Sequence, residues 1–208
     1  MYMIGKNIFD SLEKVQNTIL QNKNEIEKLD QQIGDGDHIF NILRGLEESS
    51  KLKELLINKP IDEIFKQLGI KVMTTVGGSS GALFATLLIA MSKNYNSELT
   101  DQENISNMLK QGVEAMKKRG KADVGEKTML DVLIPVSKKL EECKEEENFN
   151  IIAKKIKEVA EKGMLSTKDM LATKGRASFL GERSIGHIDP GARSSQLAID
   201  AICNQFIK

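Results

Sequence analysis

The stretch ISNMLKQGVEAM, Ile105–Met116, sets Ile105, Met108, Leu109, Val113 and Met116 at intervals of three and four among polar residues. That period gathers all five apolar side chains on one helical face, whereas a half-buried strand would need strict alternation. Working outward, the same period recurs along most of the chain. Ile8, Phe9, Leu12, Val15 and Ile19 form one such face, and Phe40, Leu43 and Leu46 begin another. Ile61, Ile64, Phe65, Leu68, Val72 and Val76 follow Pro60, which suits a helix start because its missing N–H would find no partner there. Ala82–Met91 is apolar nearly all round and reads as a buried helix. Further helices are expected at Met129–Leu140, which Pro135 either starts or kinks, at Ile151–Met164, and at Leu197–Ile207. No run alternates with period two and no segment repeats. The predicted fold is all-α, with residues 1–208 forming one domain of about eight antiparallel amphipathic helices.

Composition narrows the function. With 30 acidic and 30 basic residues the chain offers no field to draw nucleic acid or an anionic membrane, so any anion site must be local. Ala82–Met91 is about half the length a bilayer span needs. Lys6 and Asp10 interrupt the first apolar pattern, which therefore lacks the core of a signal peptide. Cys143 and Cys203 have neither disulfide nor zinc spacing and suit a reduced, cytoplasmic protein. The nine methionines read as core fillers.

Glycine concentrates at four predicted helix junctions. The first, LDQQIGDGDHIFNILRG (Leu29–Gly45), holds Asp30, Asp35 and Asp37 around Gly34 and Gly36, with His38 next. Glycines let the backbone fold nearby carboxylates toward one point, and hard oxygen ligands suit Mg²⁺. The competing reading is a polar turn in which Asp37 or Asn41 caps a helix. An EF-hand is excluded, because its fifth position would be Ile39. The second, Thr74–Leu88, formally contains the nucleophile elbow G-x-S-x-G at Gly77–Gly81. That elbow needs a preceding strand, and a helix precedes it here. A helix start whose N–H groups, Ser79 and Ser80 face phosphate, or simple close packing with a serine cap, both fit. The third, RGKADVGEKTM (Arg119–Met129), reads alone as a loop with surface lysines. The fourth, Lys174–Ser195, is the longest non-periodic stretch and carries Arg176, Arg183, His187, Asp189 and Arg193. Arginine forks well onto phosphate oxygens, while Asp189-Pro190-Gly191 is first of all a turn. Together these segments describe a helical Mg-phosphate binder, and no Walker A loop accompanies them.

The multi-residue patterns IGDGDH with N-x-x-RG, VGGSSG, RGKA-x-x-G-x-KTM and KGRAS-x-LGERSIGH-x-DPGA resemble the nucleotide-binding L-subunit family of dihydroxyacetone kinase, in family order from Asp30 to Ala192. The resemblance implies a barrel of eight helices with the nucleotide in the loops at one end. It assigns Asp30, Asp35 and Asp37 to two Mg²⁺ ions. It places His38, Ile39, Phe40, Asn41, Ser79 and Ser80 along the phosphates and ribose, and Gly120 and Met129 beside the adenine. Arg176 and Asp189, Pro190 and Gly191 would close the pocket, with Arg176 contacting the transferred phosphoryl group. It further implies that ADP is a bound coenzyme, phosphorylated in place by a phosphotransferase-system M subunit. The phosphoryl group then passes to dihydroxyacetone held on a K subunit, so the chain alone would phosphorylate nothing. An ATP-using kinase subunit for another short ketose such as erythrulose is the alternative within the enzyme class. A nucleotide-binding module that contacts a transcription regulator is the alternative outside it. Ile39 stands where the family usually has glycine and is expected to crowd the phosphates. Ile42, Ser79 and Glu126 are milder departures, replacing methionine, alanine and aspartate.

Overall fold

The periodic faces become a closed ring. A computed structural model describes residues 2–207, which contain ten α-helices, two 3-10 segments and no strand. Eight long helices pack in sequence order: α1 (Tyr2–Gln21), α3 (His38–Ser50), α5 (Ile61–Thr75), α6 (Gly78–Lys93), α7 (Asp101–Gly120), α8 (Leu130–Glu142), α9 (Phe149–Ser166) and α10 (Pro190–Cys203). Each lies against the next, and α10 returns to α1. Mostly short connections between neighbours make the sense alternate around the ring. Two further helices bring the total above the expected eight: α2 (Lys23–Ile33) and the single turn α4 (Lys53–Leu56). α2 does carry a helical period in Ile26, Leu29 and Ile33, but it is short and its end runs into the glycine segment that starts at Leu29. It packs on α3, α10 and the 3-10 segment Arg176–Ser184, so it lies at the end of the ring where that segment sits.

The core follows the ring as a set of shared seams. Val113 and Met116 of α7 meet Leu87 of α6 and Leu133 of α8. Ile152, Ile156 and Met164 of α9 meet Val132 and Val136 of α8, with Cys203 of α10. Ile19, Ile39 and Leu197 join α1, α3 and α10. Each such side chain withdrawn from water contributes about 1.5–3 kcal/mol, so the apolar stripes outweigh modest local propensities.

Pro135 neither starts α8 nor ends it, but lies inside it. It removes the amide that would bond the Asp131 carbonyl, and Gly163 of α9 sits against that carbonyl so closely that a Cβ there would overlap it. The last helix begins at Pro190, seven residues before the expected Leu197. Asp189 caps it by accepting the Ala192 N–H at 2.7 Å, and Pro190 occupies the tolerant first turn. Gly191, Ala192, Ser194 and Ser195 are small and Arg193 is charged, so this turn is hidden from an apolar pattern.

Candidate functional site

The starts of α3, α6, α8 and α10 and the end of α7 meet at one end of the ring. They surround a cleft of about 590 Å³. In the first glycine segment, Gly36 has φ +78 and makes the turn that only glycine adopts readily. Gly34 serves differently: its backbone is extended, at φ −124, but Asp30 packs against it where a Cβ would be. Asp30 is buried, and its Oδ2 accepts the His38 N–H at 3.0 Å. Asp30 thereby caps α3 from eight residues away. Asp37 occupies the N-cap position but makes no capping bond, so the turn-and-cap reading does not account for it. One oxygen each of Asp30, Asp35 and Asp37 lies within 4.8 Å of the others. That spacing fits divalent-cation coordination with small side-chain adjustments, and all-oxygen donors suit Mg²⁺.

His38 is buried, and its Nε2 lies 3.0 Å from Ser194 Oγ, tying α3 to α10. Burial holds its ring below the ordinary value despite the Asp30 charge, which favours neutral imidazole. Across the cleft, Gly78 at φ +72 opens α6, and Ser79 and Ser80 follow in its first turn, where amides lack intrahelical partners. Leu83, Ala122 and Met129 supply an apolar wall. Arg176 reaches from the 3-10 segment to Asp35, with Nε 2.9 Å from Oδ2. Asp189 caps α10 at the floor, and burial raises its carboxyl to about 7.

Of the residues singled out from sequence, Asp30, Asp35, Asp37, His38, Ser79, Ser80, Gly120, Met129, Arg176, Asp189, Pro190 and Gly191 all border this cleft. Ile39, Phe40 and Asn41 do not. The Ile39 side chain is fully buried in the seam with Ile19, Ile26 and Leu197, so the expected crowding of phosphates by that side chain is corrected. Phe40 is half exposed, with the Lys23 ammonium 5.0 Å from its ring centre. Asn41 is buried behind the Gly77–Gly78 turn.

Sequence reading missed Arg119, Lys127, Thr128 and Lys174, which also border the cleft. Lys127 is the largest correction, since it is 1% exposed and not a surface lysine. Nothing in the periodicity marks it. Its place in the K-T-M match was the only signal.

The DAK2 domain profile matches residues 32–204. The ADP-binding subunit of a PEP-dependent dihydroxyacetone kinase from Listeria innocua is 45% identical over 193 residues, 91% of this chain and 89% of the relative. The corresponding Escherichia coli subunit is 40% identical over 169 residues, 80% of each chain. Among solved structures, the C. freundii dihydroxyacetone kinase in complex with AMP-PNP and Mg²⁺ superposes with TM-score 0.73 at 24% identity, covering 95% of this chain. The match spans 33% of that longer chain and shows a shared fold.

Proposed function

Because this chain belongs to the DAK2 domain family, we propose that it is the ADP-binding subunit of a dihydroxyacetone kinase, a phosphotransferase that works only with partner subunits. Residues 1–208 are taken as one nucleotide-binding domain of a cytoplasmic protein. The described residues contain no helix long and apolar enough to cross a membrane. One observation carries the reading: three carboxylates converge at one end of a cleft whose other wall is apolar and whose edge holds an arginine.

In this reading Asp30, Asp35 and Asp37 would hold two Mg²⁺ ions, which would supply charge neutralisation on the phosphate oxygens. The protein's own groups do the rest. Amides at the start of α6 and the Ser79 and Ser80 hydroxyls donate to phosphate oxygens. Neutral His38 keeps α3 and α10 in register, fixing the aspartates against the α10 start. Leu83, Ala122 and Met129 flank the adenine beside Gly120. Arg176 turns from Asp35 toward the phosphoryl group in transfer, where a planar fork fits best. Bound ADP would accept a phosphoryl group from an M subunit, and the γ-phosphoryl of the ATP so formed would pass to a hydroxyl of dihydroxyacetone on the K subunit, the hydroxyl proton leaving to a base or water there and ADP being regenerated in place. Phe179, 83% exposed on the segment that carries Arg176, belongs to the rim where such a partner would dock.

The test begins with mass spectrometry of nucleotide released from freshly purified, denatured protein, where ADP is expected. The chain is then incubated with labelled ATP and dihydroxyacetone, with and without the K and M subunits and phosphoenolpyruvate. Sugar phosphate formed by this chain and ATP alone would refute the half-site reading. Rapid nucleotide exchange would favour the ATP-using alternative.

A further inference from the structure

We infer that Lys127 is a positioning residue that staples both feet of the covering segment 168–186 to the wall of the cleft. Its ammonium donates to the Thr167 carbonyl at 2.5 Å and to the His187 carbonyl. Those two residues bracket the segment that carries Lys174 and Arg176. A lysine offers three donors and no acceptor, so one side chain can hold two carbonyls at once. The feet are drawn together further by Gly186 N–H on the Lys168 carbonyl at 2.8 Å and by Asp189 N–H on Thr167 Oγ1 at 3.1 Å.

The clasp joins two stretches of the cleft lining. Thr128 and Met129 come immediately after Lys127, and Asp189, Pro190 and Gly191 lie just beyond the second foot, with Gly191 against Met129. Asp189, Asp169 and Asp131 supply the charge that faces the buried ammonium, opposing the cost of its desolvation. The backbone at Lys127 has φ +61, a left-handed conformation that lysine rarely adopts and glycine would take freely. A lysine kept there, with its side chain fully buried on two carbonyls, is placed for what the ammonium holds. Between its feet the segment is also held by Thr173 and Lys174 on Glu126 and by Ala172 and Ala177 against Ile33, while the Arg176–Asp35 pair sits at the surface, with Arg176 72% exposed. Exposed pairs of this kind hold weakly. The feet share with these contacts the placing of Arg176, and Lys127 acts on nucleotide through that segment.

The inference rests on the nucleotide reading of the cleft, so the first measurement is binding of N-methylanthraniloyl-ADP with Mg²⁺ to the wild-type chain. Its absence would refute that reading and leave hydrogen exchange of residues 168–186 to judge Lys127 separately. In Lys127→Gln, which retains an amide donor, and in Lys127→Met, release of the analogue is expected to be ten- to a hundredfold faster. Amide exchange in 168–186 is expected to rise while α5 and α6 stay unchanged. Added to Arg176→Ala, neither variant should accelerate release further. A purely structural role would lower the melting temperature without changing release from folded protein. Unchanged release in folded Lys127→Gln, full additivity with Arg176→Ala, or failure of both variants to fold would each overturn the inference.

Discussion

Gly34→Ala should disable the aspartate cluster from a position that has no side chain of its own to offer. The added methyl would overlap Asp30 Oδ1 and stand 2.9 Å from both Asp30 Cγ and the Asp30 carbonyl oxygen. The backbone cannot yield easily, because the Gly34 N–H is bonded to that same carbonyl at 2.6 Å. The Asp30 carboxylate must therefore rotate away. Doing so breaks its 3.0 Å bond from the His38 N–H and removes one of the three carboxylates from the cluster. A hydrogen bond to a charged group is worth about 1.5–3 kcal/mol. For a chain of this size each 1 kcal/mol lowers the melting temperature by roughly 2–4 °C. Disturbing the support of a metal ligand typically costs about 10–100-fold in metal affinity. Gly36→Ala is the control. It meets only Gln31 Cγ, at 3.9 Å, but has φ +78, so it should lose about 1–3 kcal/mol through backbone strain and keep its aspartates. Thermal unfolding and Mg²⁺-dependent nucleotide binding, measured on both variants, separate the two effects. Wild-type Mg²⁺ dependence in Gly34→Ala would refute the reasoning.

Further outcomes follow from the same geometry. Arg176→Ala should lower phosphoryl transfer with partner subunits by about 10³-fold, as removal of an arginine finger does. Ser79→Ala should cost under about tenfold, since the amide remains and a neutral hydrogen bond contributes about 0.5–1.5 kcal/mol; the reverse ranking would show the arginine segment to be misplaced. Asp189, raised to about 7, binds a proton in the folded state that the unfolded chain releases near 3.8. Its contribution to stability therefore falls as pH rises from about 4 to 7 and is constant above that. Asp189→Asn should remove this slope from chemical denaturation curves. His38, whose value is lowered by burial, contributes the opposite slope in both proteins, so the difference isolates Asp189.

The all-helical class was legible because burial on one face imposes a period that survives in the sequence, as buried Met108, Val113 and Met116 illustrate, although Ile105 at the head of the same stripe stays half exposed. The four chemically distinctive segments were legible too, because glycines, aspartates and arginines cluster there between long amphipathic helices. Three things were not. α2 carries its period on three residues only and merges into the first glycine segment, and the first turns of α10 hold no large apolar residue before Leu197. Side-chain direction at the start of α3 was equally hidden. A helix turns about 100° per residue, so His38 enters the cleft while Ile39 enters the core and Phe40 faces solvent. Lys127 shows the same divide most sharply. Its charge and its lysine-rich surroundings argue for the surface, and only the approach of Thr167 and His187, forty and sixty residues away, turns it inward. Local sequence determines which residues can form a helix, a turn or a ligand set, since those depend on near neighbours. Which of them meet, and what a buried charge holds, depends on contacts between segments far apart in the chain. Those contacts come into being only when the ring closes.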